Sequence, residues 1–188
     1  MSNLKTNNHK RYKEYKNQNL DDIIQILNNE KSFYYDNKIN MDIVNKIENA
    51  AKGFGREVTR TSVRNIYNAF KDIEMQLNQR YINELNNIDK FEEDESVDEI
   101  ELKMNKQKEE VFNEIKPIIR LMKGKVHYLI SRKIEGLSQH KKIEKVAYQH
   151  LEKFFEQSII VINEAKEFEA FLKVFECMYG YLEKGSEN

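Results

Sequence analysis

The stretch IEKVAYQHLEKFFEQSIIVI, residues 143–162, decides the fold. Ile143, Val146, Ala147, Leu151, Phe154, Phe155, Ser158 and Ile162 recur at three- and four-residue intervals, the repeat of one face of an α-helix. Beyond Asn163, which can cap a new helix, the same period continues in Phe168, Phe171, Leu172, Phe175, Met178, Tyr179 and Leu182. Upstream, Thr59 reads as the N-cap of a long helix whose stripe is Val63, Ile66, Tyr67, Phe70, Ile73 and Leu77, running on through Tyr81 and Leu85.

Between these lies a further helical region. Ser96 with Glu99 three residues later has the form of a capping box, so a helix is expected to start there. Leu102, Met104 and Lys108 fix no clear face. The stripe sharpens at Val111 and Phe112, and Pro117 either kinks the helix or begins a new one. Ile118, Leu121, Met122, Val126, Leu129 and Ile130 carry the apolar face on to Arg132, and Gly136 and Ser138 mark a turn. Near the start, Leu20, Ile23, Ile24 and Leu27 predict a short helix, Ser32–Asn40 a loop, and Ile43, Val44, Ile47, Ala50 and Ala51 a second short helix ending at Gly53-Phe54-Gly55, where Gly53 can supply a left-handed cap.

The expectation is an all-α protein, a compact helical bundle of about five to six helices in one domain over residues 20–184. Six glycines and one proline in 188 residues are too little turn punctuation for a β-sandwich or an α/β fold. A 39% hydrophobic fraction is enough for a core, and 34% charged residues suit long helices with solvated outer faces. Residues 1–19 read as a flexible basic tail, 89–98 as an acidic solvated connection, and 185–188 as a C-terminal tail. The lone Cys177 reads as a small buried filler. No long apolar window or N-terminal apolar region is present, so a cytoplasmic protein is expected.

Catalytic apparatus is not visible, and a non-enzyme is expected. The four histidines, His9, His127, His140 and His150, do not fall at metal-ligand spacings on one helical face, and no Glu-x-x-His pair supports a di-iron bundle. Gly53-Phe54-Gly55 lacks the third glycine and the preceding strand of a phosphate loop. Neither a cofactor nor a metal is implied.

With a net charge of −1, any nucleic-acid function must rest on local charge. Arg56, Arg60 and Arg64 recur every four residues around the start of the long helix, and Lys116, Arg120 and Lys123 share one face further on, extended by Lys125, Arg132 and Lys133. Cations held on rigid helices suit a phosphate backbone, giving affinity without sequence reading. Spacing alone favours the ordinary wet face of amphipathic helices. Against that, Glu57 is the only carboxylate between Gly53 and Lys71, and none lies between Lys116 and Lys133.

Three stretches bring in a resemblance. Val58-Thr59-Arg60-Thr61-Ser62-Val63-Arg64-Asn65-Ile66-Tyr67 is similar to the Leu-Thr-Thr-Ser-Gln-Ile-Arg helix start of the small subunit of type III-A CRISPR effector complexes (the Csm complex). Leu121-Met122-Lys123-Gly124-Lys125-Val126-His127-Tyr128-Leu129-Ile130-Ser131-Arg132 resembles that family's Leu-Lys-Pro-Lys-Leu-Ala-Tyr-Ala-x-x-Arg segment. Phe175-Glu176-Cys177-Met178-Tyr179-Gly180-Tyr181 resembles its Phe-Glu-Ala-Ile-Val-Ala-Tyr ending. Gly124 stands where the family usually has proline, and Ser62 where it has glutamine.

The resemblance covers most of residues 46–184 in order. It implies a non-catalytic subunit, several copies of which stack along the crRNA beside the other subunits of the complex and contact target RNA. By that resemblance Arg64, Lys123, Lys125 and Arg132 are RNA contacts; Arg60 and Arg120 join them on spacing. Tyr128, Phe175 and Tyr181 are expected to pack, not to stack on bases. The small subunit of the related type III-B complex and a helical protein–protein adaptor without RNA contact are the alternatives.

Overall fold

In the computed structural model, residues 15–87 and 96–183 are described. The expected basic tail up to residue 14, most of the acidic connection and the C-terminal tail lie outside them. Six helices and one small hairpin follow in order among the described residues: α1 Gln18–Glu30, β1 Tyr34–Tyr35, β2 Lys38–Ile39, α2 Met41–Gly53, α3 Arg60–Asn87, α4 Val97–Glu135, α5 Lys142–Val161 and α6 Ala165–Tyr181. The fold is a compact all-α bundle, as the periodicities predict.

Caps set most of the helix ends. Asn17, which the tail reading had included, is buried; its side chain accepts from Leu20 N–H at 3.3 Å to start α1 and donates to the Ala50 carbonyl at 2.8 Å, tying α1 to α2. Thr59 Oγ1 accepts from Ser62 N–H at 3.4 Å at the head of α3. The capping box forms, with Ser96 N–H donating to Glu99 at 3.0 Å and Glu99 N–H donating to Ser96 Oγ at 3.4 Å.

Two expected caps fall elsewhere. Gly53 is the last residue of α2, followed by Phe54 in right-handed helical conformation, and the left-handed residue is Gly55 at φ 55°. Asn163 does not cap α6. Glu109 of α4 reaches across 56 positions instead, and its carboxylate accepts the Ala165 N–H at 3.0 and 3.2 Å.

The expected loop over Ser32–Asn40 contains the two-residue-strand hairpin, with Tyr34 paired to Ile39 and Tyr35 to Lys38. Asp36 and Asn37 make its turn in the left-handed region, at φ 49° and 58°, the conformation a two-residue hairpin turn demands and that short polar side chains tolerate.

α4 is continuous through Pro117, which has no N–H to give the carbonyl of Asn113. Its first turns bury nothing, and Leu102 is 71% exposed. The buried face is Val111, Phe112, Ile115, Ile119, Met122, Val126 and Ile130. This is a correction to the expected face: Ile119 takes the core position, while Leu121 is 75% exposed and Ile118 lies at the rim.

A cluster of rings holds the centre. Phe70 of α3 lies 4.8 Å from Phe171 and 6.1 Å from Phe155, and Phe155 of α5 lies 4.8 Å from Phe175 of α6. Phe33, from the turn before the hairpin, meets Phe171 at 6.0 Å. Cys177 is half-buried, not fully buried, and desolvation raises its thiol pKa above the ordinary value.

Two buried polar groups make opposite predictions. Glu167 accepts the Phe33 N–H at 2.8 Å and the Ser32 hydroxyl, fastening the hairpin segment to α6. Glu167→Ala should therefore cost about 2 kcal/mol by leaving donors unpaired. Ser158 is fully buried with no hydrogen-bond partner among the described residues. Ser158→Ala should raise stability by about 1 kcal/mol. Urea-denaturation midpoints of the two variants moving in the same direction would contradict this assignment.

Candidate nucleic-acid interface

The second basic segment divides into two faces of α4. Lys116, Arg120, Lys123 and His127 form a row along α5, which runs antiparallel to α4. Lys116 donates to the Asn163 carbonyl at 2.9 Å. Arg120 donates to the Ile159 carbonyl and to Asn163 Oδ1, the latter at 2.8 Å. Lys123 stands 3.4 Å from Glu156, and His127 Nδ1 lies 2.6 Å from Glu152. Each turn up α4 meets one turn down α5.

Two forces place this row. The last carbonyls of α5 have no intrahelical donors and carry the negative end of its dipole, so Arg120 at the Ile159 carbonyl completes that terminus, while Lys116 holds the Asn163 carbonyl in the turn that follows. Glu156 then pairs with Lys123, and Glu152 meets the His127 imidazole. Sequence inspection found no carboxylate within the segment because the acids belong to another helix.

Lys125 and Arg132 lie on the opposite, outer face with Leu121, Gly124 and Tyr128, which follow at i, i+3, i+4, i+7 and i+11 from Leu121. Tyr128 was expected to pack, but it is 55% exposed. The Arg132 guanidinium lies 5.7 Å from the Tyr128 ring centroid and donates to its hydroxyl at 3.2 Å. Among the described residues, Lys125 and Lys133 have no ion pair or hydrogen-bond partner on their side chains.

The first basic segment divides in a similar way. Arg60 turns over Tyr179 of α6, its guanidinium carbon 4.7 Å from the ring centroid, while Tyr179 stacks on Tyr67 at 4.3 Å. The Arg60 backbone N–H donates to the Glu183 carbonyl at 2.7 Å. Burial pushes the Tyr67 hydroxyl pKa up, as fits a ring used for packing. Arg56 sits 3.9 Å from the Glu183 carboxylate. Arg64 is exposed and without a side-chain partner among the described residues. Phe175 is buried as expected, and Tyr181 is 45% exposed beneath Lys52, whose nitrogen lies 5.3 Å from its ring centroid.

Of the six candidate contacts, Arg60, Arg120 and Lys123 have partners within the fold. Arg64, Lys125 and Arg132 point outward with charge to offer. Among the described residues no group of three or more His, Cys, Asp or Glu side chains is placed to hold a metal ion, and no helix is long and apolar enough to cross a membrane.

Comparison with family models, with curated proteins and with solved structures finds no match to this chain.

The division of labour is directly testable. Arg120→Ala removes bonds to Ile159 and Asn163 and should lower stability by about 1–2 kcal/mol. Arg64→Ala and Lys125→Ala should each change it by less than about 0.5 kcal/mol. Chemical denaturation of the three variants would reveal an error if all lost stability equally.

Proposed function

We propose that this chain is a non-catalytic small subunit of a type III-A CRISPR effector complex, which binds target RNA through its backbone. Two things support the reading: the three family-like segments in order, and the outward cations of two of them. The single observation that carries the RNA contact is that Arg64 and Lys125 stand on helix surfaces with no acidic partner among the described residues, beside an equally outward Arg132. Ammonium and guanidinium groups presented this way gain from phosphate by releasing its condensed counterions. In this reading, copies of the chain lie along a crRNA and leave cleavage to other subunits.

The isolated protein is expected to bind single-stranded RNA weakly, without sequence preference and more tightly at low salt. Changing Arg64, Lys125 and Arg132 together to Glu should cut affinity at least about tenfold and flatten the logarithmic salt dependence by about 2, the contribution of three lost phosphate contacts. Affinity unchanged in this folded variant would refute the assignment. A wild-type chain that binds another subunit but no RNA at low salt would point to a protein adaptor instead.

A further inference from the structure

The outer face of α4 holds a feature that neither the bundle nor backbone charge explains. Gly124 sits mid-helix, where glycine weakens the helix relative to alanine. An added Cβ would meet nothing within 4 Å, and Gly124 is not among the residues with positive φ. Packing and backbone conformation therefore both accept alanine. The missing side chain leaves a notch on the helix surface.

That notch has walls. Leu121 lies one turn before it, 75% exposed, and Tyr128 one turn after it, 55% exposed. Lys125 is the next residue, and Arg132 anchors the Tyr128 hydroxyl at 3.2 Å, holding the ring by its polar end. An apolar protein surface seated here would bury the Lys125 and Arg132 charges without partners, which is unfavourable. The surface instead fits an occupant that is planar, aromatic and flanked by negative charge.

We propose that Gly124, Leu121 and Tyr128 form a seat for one unpaired nucleobase, stacked on Tyr128 over the glycine notch, with the adjoining phosphates at Lys125 and Arg132. The seat rests on the RNA-binding reading above and adds to it a contact that depends on the base. Stacking on an aromatic ring is tolerant of base identity, so the seat selects an unpaired base without selecting a sequence.

Fluorescence anisotropy on the full chain tests this, using two labelled strands of about 12 nucleotides, oligouridine and an abasic ribose-phosphate strand of equal length. The wild-type protein should prefer the base-bearing strand by about tenfold. Gly124→Ala should raise Tm by about 2–4 °C, through better helix propensity, while abolishing the preference. Tyr128→Leu should abolish it as well and keep the affinity for the abasic strand, whereas Tyr128→Phe should retain it. Equal wild-type affinity for the two strands, or a preference that survives both Gly124→Ala and Tyr128→Leu, overturns the seat and leaves the backbone contacts standing. Failure of both strands to bind at low salt overturns the seat and the RNA reading together.

Discussion

Phe70, Phe155, Phe171 and Phe175 bring three helices to one point, and the other contacts are arranged around what those rings require. Phe171 and Phe175 lie one turn apart on α6, so a single helix face meets both α3 and α5. Edge-to-face contacts such as Phe155 on Phe175 add about 0.5–1.5 kcal/mol each beyond the area they bury. They also fix the rotation of α6 about its axis. Once that rotation is set, Tyr179 must fall beside Tyr67, and Arg60 has a ring to cover. The use of Arg60 in packing follows from the position of phenylalanines well down the helix.

A second constraint acts between α4 and α5. Apolar contacts from Ile115 to Ile130 press the two together, which brings the end of α5, with its unpaired carbonyls, against the flank of α4. Cations on that flank satisfy the carbonyls and then the carboxylates behind them. The same helix thus carries basic residues of two kinds. Those on the flank are consumed inside the molecule, and those on the outer face remain available. Charge counted along the sequence merges the two; only the direction of each side chain separates them.

Much of the fold was legible because the periodic positions Val63–Leu77 of α3 and Phe168–Leu182 of α6 lie inside or half-buried. α6 also buries Ala165, Glu167, Ala170 and Val174 on a wider face, and Ile143, expected inside at the head of α5, is exposed. The α4 face was misread for a definite reason. Ile118 and Leu121 are apolar and fit the period, but Ile119 fits it too, and only the placement of α3 and α5 decides which is inside. The caps show the same limit. Ser96 and Glu99 are three residues apart and could be read directly, whereas the acceptor at the head of α6 comes from Glu109, which no local pattern connects to Ala165. In the candidate site Arg60, Arg64, Arg120, Lys123, Lys125 and Arg132 read alike from the sequence as RNA contacts, and what sets Arg120 and Lys123 apart from Arg64 and Lys125 is partners about 33 to 43 positions away.

The Glu109 bond to Ala165 also bears on the order in which the chain acquires its shape. Glu164 gives no cap of its own, so the first free N–H of α6 finds its acceptor only after α4 has docked. α6 in turn carries two rings of the central cluster. Docking of α4 therefore completes the head of the helix whose rings close the aromatic core. It comes late, since it waits on a contact of long sequence separation whose loop must first close. α3 and α4 pack on one another, but the faces they turn toward α6 stay uncovered until that helix docks. That interval is when such a protein most needs protection from aggregation.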